Sequence, residues 1–131
     1  MSDAIRALLE AGDAHYAAGR FEAAAEAYGA AWAQAPDNLA AGFNRGNALK
    51  QAGRPRDAIA AYDEVLAKAP QFPMARHNRA TCLLQVGELL EGFREYEWRK
   101  LCPGFVDDAR YKQKRPWRGE DLAGKALYVY P

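Results

Sequence analysis

Between residues 55 and 68 the apolar positions are Ile59, Tyr62, Val65 and Leu66, lying three and four positions apart. That interval puts them on one face of a helix. Pro55 opens this helix, where a missing backbone N–H costs nothing. Just before it, Gly53 supplies the left-handed residue that ends a preceding helix. That helix is expected over roughly 38–52, with Phe43, Ala48 and Leu49 beside small Gly46. Pro70 stops the second helix, and the Gln71-Phe72-Pro73 turn starts another. The elementary unit is therefore helix, glycine turn, helix.

The pattern recurs. GFNRGNALKQAG at 42–53 and RHNRATCLLQVG at 76–87 place Asn78 after Asn44, and Gly87 after Gly53, at the same offset of 34. That shift also aligns Gly19 with Gly53 and Gly87, Gly12 with Gly46 and Ala80, and Ala24 with Ala58 and Gly92. Tyr28, Tyr62 and Tyr96 form an aromatic column, and Pro36 and Pro70 close the first two units. Small columns let helices approach closely, and the Tyr column is expected to fill the wider gap between neighbouring units. A pair of helices cannot bury both its faces, so such units stack into a solenoid.

These columns resemble the tetratricopeptide repeat family, in which small, aromatic and proline positions recur with the same period. The resemblance implies an all-α fold, a right-handed solenoid of three helix-turn-helix units at about 4–37, 38–71 and 72–104. Residues 105–131 are expected to form an extended connector with one short strand. The third unit departs at its end, where Arg99 stands in the column of Ala31 and Val65. The first shows Glu10-Ala11 in place of the Asn-Arg pair.

In that family the first helix of each unit lines a concave face that receives an extended peptide. By register the lining is Leu9, Glu10 and Asp13, then Phe43, Asn44, Asn47 and Gln51, then Met74, His77, Asn78, Thr81 and Gln85. The clamp that holds the carboxylate end of heat-shock chaperones does not transfer. Asn44 fits, but Leu9, Asp13, Met74 and Asn78 stand where Lys, Asn, Lys and Arg are needed. Asn44 and Asn78 are instead similar in register to the asparagine ladder of O-linked N-acetylglucosamine transferase, with Asn47 one turn along. A carboxamide offers both donor and acceptor, so it can pair a peptide backbone without reading its sequence. The alternative is that both Asn bond the neighbouring helix. On the first reading Asn44, Asn78 and Asn47 hold backbone, while Phe43, Met74, His77 and Gln85 give specificity.

Composition narrows the function further. Half the residues are hydrophobic and 27% charged. No apolar run reaches membrane-spanning length. The start, MSDAIRALLEAGD, lacks the basic and apolar regions of a secretory leader. Two cysteines make no disulfide framework, and neither pairs with His15 or His77 at a metal-ligand spacing. The expectation is a cytoplasmic protein that needs no cofactor. His15 and Cys82 fall in packed columns. No phosphate loop, paired-carboxylate site or metal motif is present, so the chain itself is not read as an enzyme. Residues 1–40 hold six acids and two bases, whereas 41–100 hold seven and ten. Such a gradient can steer head-to-tail contacts but does not mark a nucleic-acid binder.

The last segment has a different character. Arg110, Lys112, Lys114, Arg115 and Arg118 alternate with Tyr111 and Trp117, and ALYVYP closes the chain with a short strand pattern. EGFREYEWRK at 91–100, followed by RPWRGEDLAGKALYVYP at 115–131, is similar to the junction of bacterial tetratricopeptide glycosyltransferases. That resemblance implies an acceptor-recognition arm cut at the threshold of a sugar-nucleotide-dependent domain. The sequence thus leaves three readings: a peptide- or protein-binding module, such an arm, and a self-associating scaffold. The last would use the solenoid end, where Phe93, Trp98 and Phe105 are available for contact.

Overall fold

The computed structural model describes residues 1–104, and these are helical throughout apart from turns and the chain ends. Six α-helices follow one another: α1 (Asp3–Ala17), α2 (Phe21–Gln34), α3 (Leu39–Gln51), α4 (Pro55–Lys68), α5 (Pro73–Gln85) and α6 (Leu89–Tyr96). A 3₁₀ turn, Glu97–Leu101, follows α6. Each helix packs chiefly on its neighbours in sequence, and α3 also touches α5, the arrangement expected of a solenoid. None of the described helices is long and apolar enough to cross a membrane. No strand occurs among the described residues; the strand expected at Ala126–Tyr130 lies outside them, as do Phe105 and the basic stretch.

Local chemistry fixes the helix ends. Ser2 caps α1 by accepting from the Ile5 N–H at 3.2 Å. Asn38 caps α3 in the same way, accepting from the Ala41 N–H at 3.3 Å. Each such cap satisfies a backbone donor that the helix cannot. Pro55 and Pro73 open α4 and α5, where a ring in place of an N–H is tolerated. Within each helix pair the turn is made by a glycine at positive φ: Gly19 at 74°, Gly53 at 75° and Gly87 at 88°. The next N–H reaches back to a carbonyl in the last turn, as Arg54 does to Leu49 at 3.0 Å. That bond satisfies a carbonyl the helix would otherwise orphan.

The core is unusually rich in alanine. Ala24, Ala31, Ala41, Ala48, Ala58 and Ala75 are all 0% exposed, so helices meet with little between them. Larger side chains fill the remaining space, Tyr62, Val65 and Cys82 being the largest that are fully buried. Phe43 of α3 bridges to the next pair, its ring 5.0 Å from that of Phe72. Polar ties also cross between pairs: the Trp32 indole donates to Glu64 at 2.8 Å, and Lys68 meets Asp37 at 2.9 Å.

The Tyr column fills a gap inside the first two pairs, and Tyr62 also reaches the next pair, its oxygen lying beside Asn78. A Cβ on Gly12 would lie 2.6 Å from the Tyr28 ring, and one on Gly46 would lie 2.5 Å from the Tyr62 ring. The glycine is a seat for the ring. At the third pair Ala80 stands in the glycine's place, and the Tyr96 ring lies 5.1 Å from His77, in the register of the Phe43–Tyr62 contact one repeat earlier. His15, expected to be packed, is only half-buried, because its Nδ1 accepts from the Arg20 Nε at 3.0 Å near the surface.

Candidate binding face along the first helices

Helices α1, α3 and α5 carry the predicted lining, and the structure joins part of it into one polar seam. The Tyr28 hydroxyl donates to the Asp13 carboxylate at 2.6 Å. One repeat later the Tyr62 hydroxyl donates to the Asn47 carbonyl oxygen, also at 2.6 Å. Asp13 and Asn47 occupy the same place in successive repeats, so the bond is kept while the charge of its acceptor changes. Asn47 Oδ1 takes a second donor, the Asn78 carboxamide of α5, at 2.9 Å. Thr81, next in this register, donates its hydroxyl to the Asn78 backbone carbonyl at 2.7 Å.

Both tyrosines are held as neutral phenols. Burial first, then the hydrogen bond and charge of Asp13, pushes Tyr28 well above the ordinary phenol range, since both disfavour the phenolate. For Tyr62 burial dominates and Cys82 adds to it, while Asn78 beside the oxygen pulls the other way. Burial also pushes the thiol of buried Cys82 up, which makes it a packing group and a poor nucleophile.

The seam is closed between α3 and α5 and open between α1 and α3. There a cleft of about 250 Å³ is lined by Asp13, Tyr16, Tyr28, Asn44 and Asn47. Tyr16 is braced from behind by Phe21, edge to face at 5.2 Å. The register places Asn44 opposite Asp13 as Asn78 stands opposite Asn47, yet only the second pair is hydrogen-bonded among the described residues.

The other predicted residues take different places. Phe43 is part of the packing between helix pairs, 6.1 Å from Tyr62 and closer to Phe72. Met74 and His77 are half-buried on α5, and Gln85 is exposed at its end. Burial lowers the His77 pKa, and the charges of Lys50 and Arg99 lower it further, because each disfavours the protonated ring. The structure therefore gathers Asn44 and Asn47 at one cleft and ties Asn78 to Asn47, while Met74, His77 and Gln85 lie further along. Tyr16 and Tyr28 are walls that the register reading omitted. Their signal was available: Tyr28 follows Asp13 at the same interval as Tyr62 follows Asn47.

Paired helices stacked along one line, with glycine-seated tyrosines and a polar seam on alternate helices, define a helical-repeat protein. Residues 15–76 match the family model described as Tetratricopeptide repeat. Among solved structures, the first such domain of Spaghetti (RPAP3) bound to the HSP90 peptide SRMEEVD is 21% identical, with a TM-score of 0.72 over 80% of this chain and 84% of that one. The Yersinia enterocolitica type III secretion chaperone SycD, in complex with a peptide of the translocator YopD, is 22% identical, with a TM-score of 0.71 over 86% and 85%. The same chaperone in an alternative dimer is 23% identical, again at 0.71, over 86% and 84%. At these identities the shared property is the fold. No curated protein matches the chain.

Proposed function

We propose that this chain is a peptide- or protein-binding module of three tetratricopeptide units. Its first helices present a face that holds an extended segment. The observation that carries this reading is the open cleft between α1 and α3, continued by the half-buried carboxamides of Asn47 and Asn78. Two of the similar structures contain bound peptides, which supports it. Asn44, on the cleft wall, makes no side-chain hydrogen bond among the described residues, leaving both donor and acceptor for a backbone. Asn78 spends one N–H on Asn47 and keeps its carbonyl. A net hydrogen bond contributes about 0.5–1.5 kcal/mol, so these rungs alone give weak binding and side-chain pockets must add the rest.

The test is fluorescence anisotropy with peptides enriched from a random display library on the folded chain. Asn44→Ala is expected to weaken the enriched peptides severalfold while the thermal midpoint stays put. If no peptide is enriched, or if Asn44→Ala leaves every affinity unchanged, the reading fails.

A second reading, self-association, is favoured by the last helix pair. Leu89, Leu90, Phe93 and Leu101 are 55%, 78%, 63% and 65% exposed. Together they make an apolar end against which another helix could pack. Trp98, the other residue expected there, is partly covered by the Arg76 guanidinium, 4.7 Å from its ring centre. The reading as a glycosyltransferase arm rests on sequence resemblance alone, and its second half, 115–131, lies outside the described residues.

A further inference from the structure

The binding reading leaves open what chemistry the segment must carry, and the cleft between α1 and α3 answers part of that. Its walls are a carboxylate, two phenol rings and two carboxamides: Asp13, Tyr16, Tyr28, Asn44 and Asn47. Most acids of the described chain are committed to a base, as Asp37 is to Lys68, Asp63 to Arg79 and Glu95 to Arg76. Asp13 has no Lys or Arg partner among the described residues; its one recorded donor is the Tyr28 hydroxyl at 2.6 Å. A carboxylate carries about four acceptor sites, so most of its capacity remains unspent. Glu10, one turn back on α1, adds a second negative charge to the same stretch of helix.

The aromatic walls point the same way. A ring face attracts a cation, and a guanidinium can stack on it while pairing with a neighbouring carboxylate. Tyr16, half-buried, is fixed by Phe21, so its ring is set before any ligand arrives, while buried Tyr28 orients the Asp13 carboxylate through its hydroxyl. The repeat supplies an internal comparison. At the second junction Asn47 and Lys50 stand in the register of Asp13 and Tyr16, so an acid and a ring are replaced by a neutral amide and a base. That junction is closed by the Asn78 bond, and His77 there lies among the charges of Lys50 and Arg99.

We infer that the first junction is a receptor for one cationic side chain of the bound segment, a guanidinium or ammonium group seated between Asp13 and the ring of Tyr16. The second junction repels such a group, so the basic residue fixes the position of the segment along the groove. This deepens the peptide-binding reading and rests on it for its biological sense, but the site can be assayed without any peptide.

The experiment is a titration of the chain with ethylguanidinium chloride at constant ionic strength, followed by amide and side-chain chemical shifts in nitrogen-15 spectra. N-ethylurea, neutral and of the same shape, is the control. Saturable shifts are expected at Asp13, Tyr16, Asn44 and Asn47 with the cation and none with the urea. Asp13→Asn is expected to weaken the cation about fivefold or more, the scale of a lost ion pair beside an aromatic face. That variant should fold, since Asn47 already holds Tyr62 through the same bond. Equal response to the urea, or an unchanged affinity in Asp13→Asn, overturns the assignment. The two levels separate cleanly. Enriched peptides that share no basic residue would overturn the cation site and leave groove binding intact. Cation shifts that vanish in Asp13→Asn would uphold the site even if no peptide were enriched.

Discussion

Gly46 and Tyr62 show how tightly single residues are set. A methyl at 46 would stand 2.5 Å from a ring that is fully buried and tied through its hydroxyl to Asn47, so neither partner can yield. Gly46→Ala is expected to destabilise the chain by about 1–3 kcal/mol, the usual cost of overpacking a core, measured by urea unfolding. The two asparagines of the repeat should part company in the same assay. Asn78→Ala removes a bond to Asn47. It should lower stability by about 0.5–1.5 kcal/mol, whereas Asn44→Ala should leave it unchanged. Equal losses for the two would make both structural. From sequence they are twins; their neighbours, Asp13 for one and Asn47 for the other, make them different.

At the scale of elements the third helix pair is the instructive one. Its second helix runs for eight residues before tightening into the 3₁₀ turn, while α2 and α4 each run for 14. Arg99 and Lys100 occupy the columns of Ala31 and Trp32, or Val65 and Leu66, so the apolar stripe that would hold a longer helix runs out. Tyr96 lies against His77, with the Arg99 guanidinium 4.7 Å from its ring. Here a pH dependence follows. The His77 pKa is lower folded than unfolded, so the unfolded chain binds the extra proton more readily. Stability is then fully present above the ordinary histidine range and falls as pH drops through it, levelling off below the lowered folded value. The thermal midpoint should decline between about pH 7.5 and about pH 5, the range that brackets histidine titration. His77→Gln should flatten that decline; an unchanged slope would show that His77 is not its source.

For the whole molecule the question is what meets two surfaces among the described residues, the cleft between α1 and α3 and the exposed apolar side chains of α6. Repeat units stack through such faces, so an exposed apolar one can take a further helix. Sedimentation velocity over a wide range of concentration should show mass increasing with concentration. Leu90→Lys with Phe93→Glu should return the chain to monomer without lowering its stability, because both side chains are already exposed. Mass independent of concentration in the parent chain would remove the self-association reading.

Much of this architecture was legible in the sequence. The repeat shift, the glycine stops and the three-and-four spacing placed α3 and α4 within a residue or so of their observed ends. These signals act through local backbone geometry. That Asp13, Asn47 and Thr81 share one face of successive first helices followed from register, because a helix turns its residues by a fixed angle. Register could not say which carboxamides were already bonded or which way a tyrosine ring packed. Those outcomes depend on the separation between helices, decided where Gly12 and Gly46 admit a tyrosine ring. The sequence determined the repeat and the face it presents. Only the tertiary structure decided that one junction is open and lined by a carboxylate while the next is closed by its own amides. That difference arises from contacts between helices far apart in the chain, which no local signal encodes.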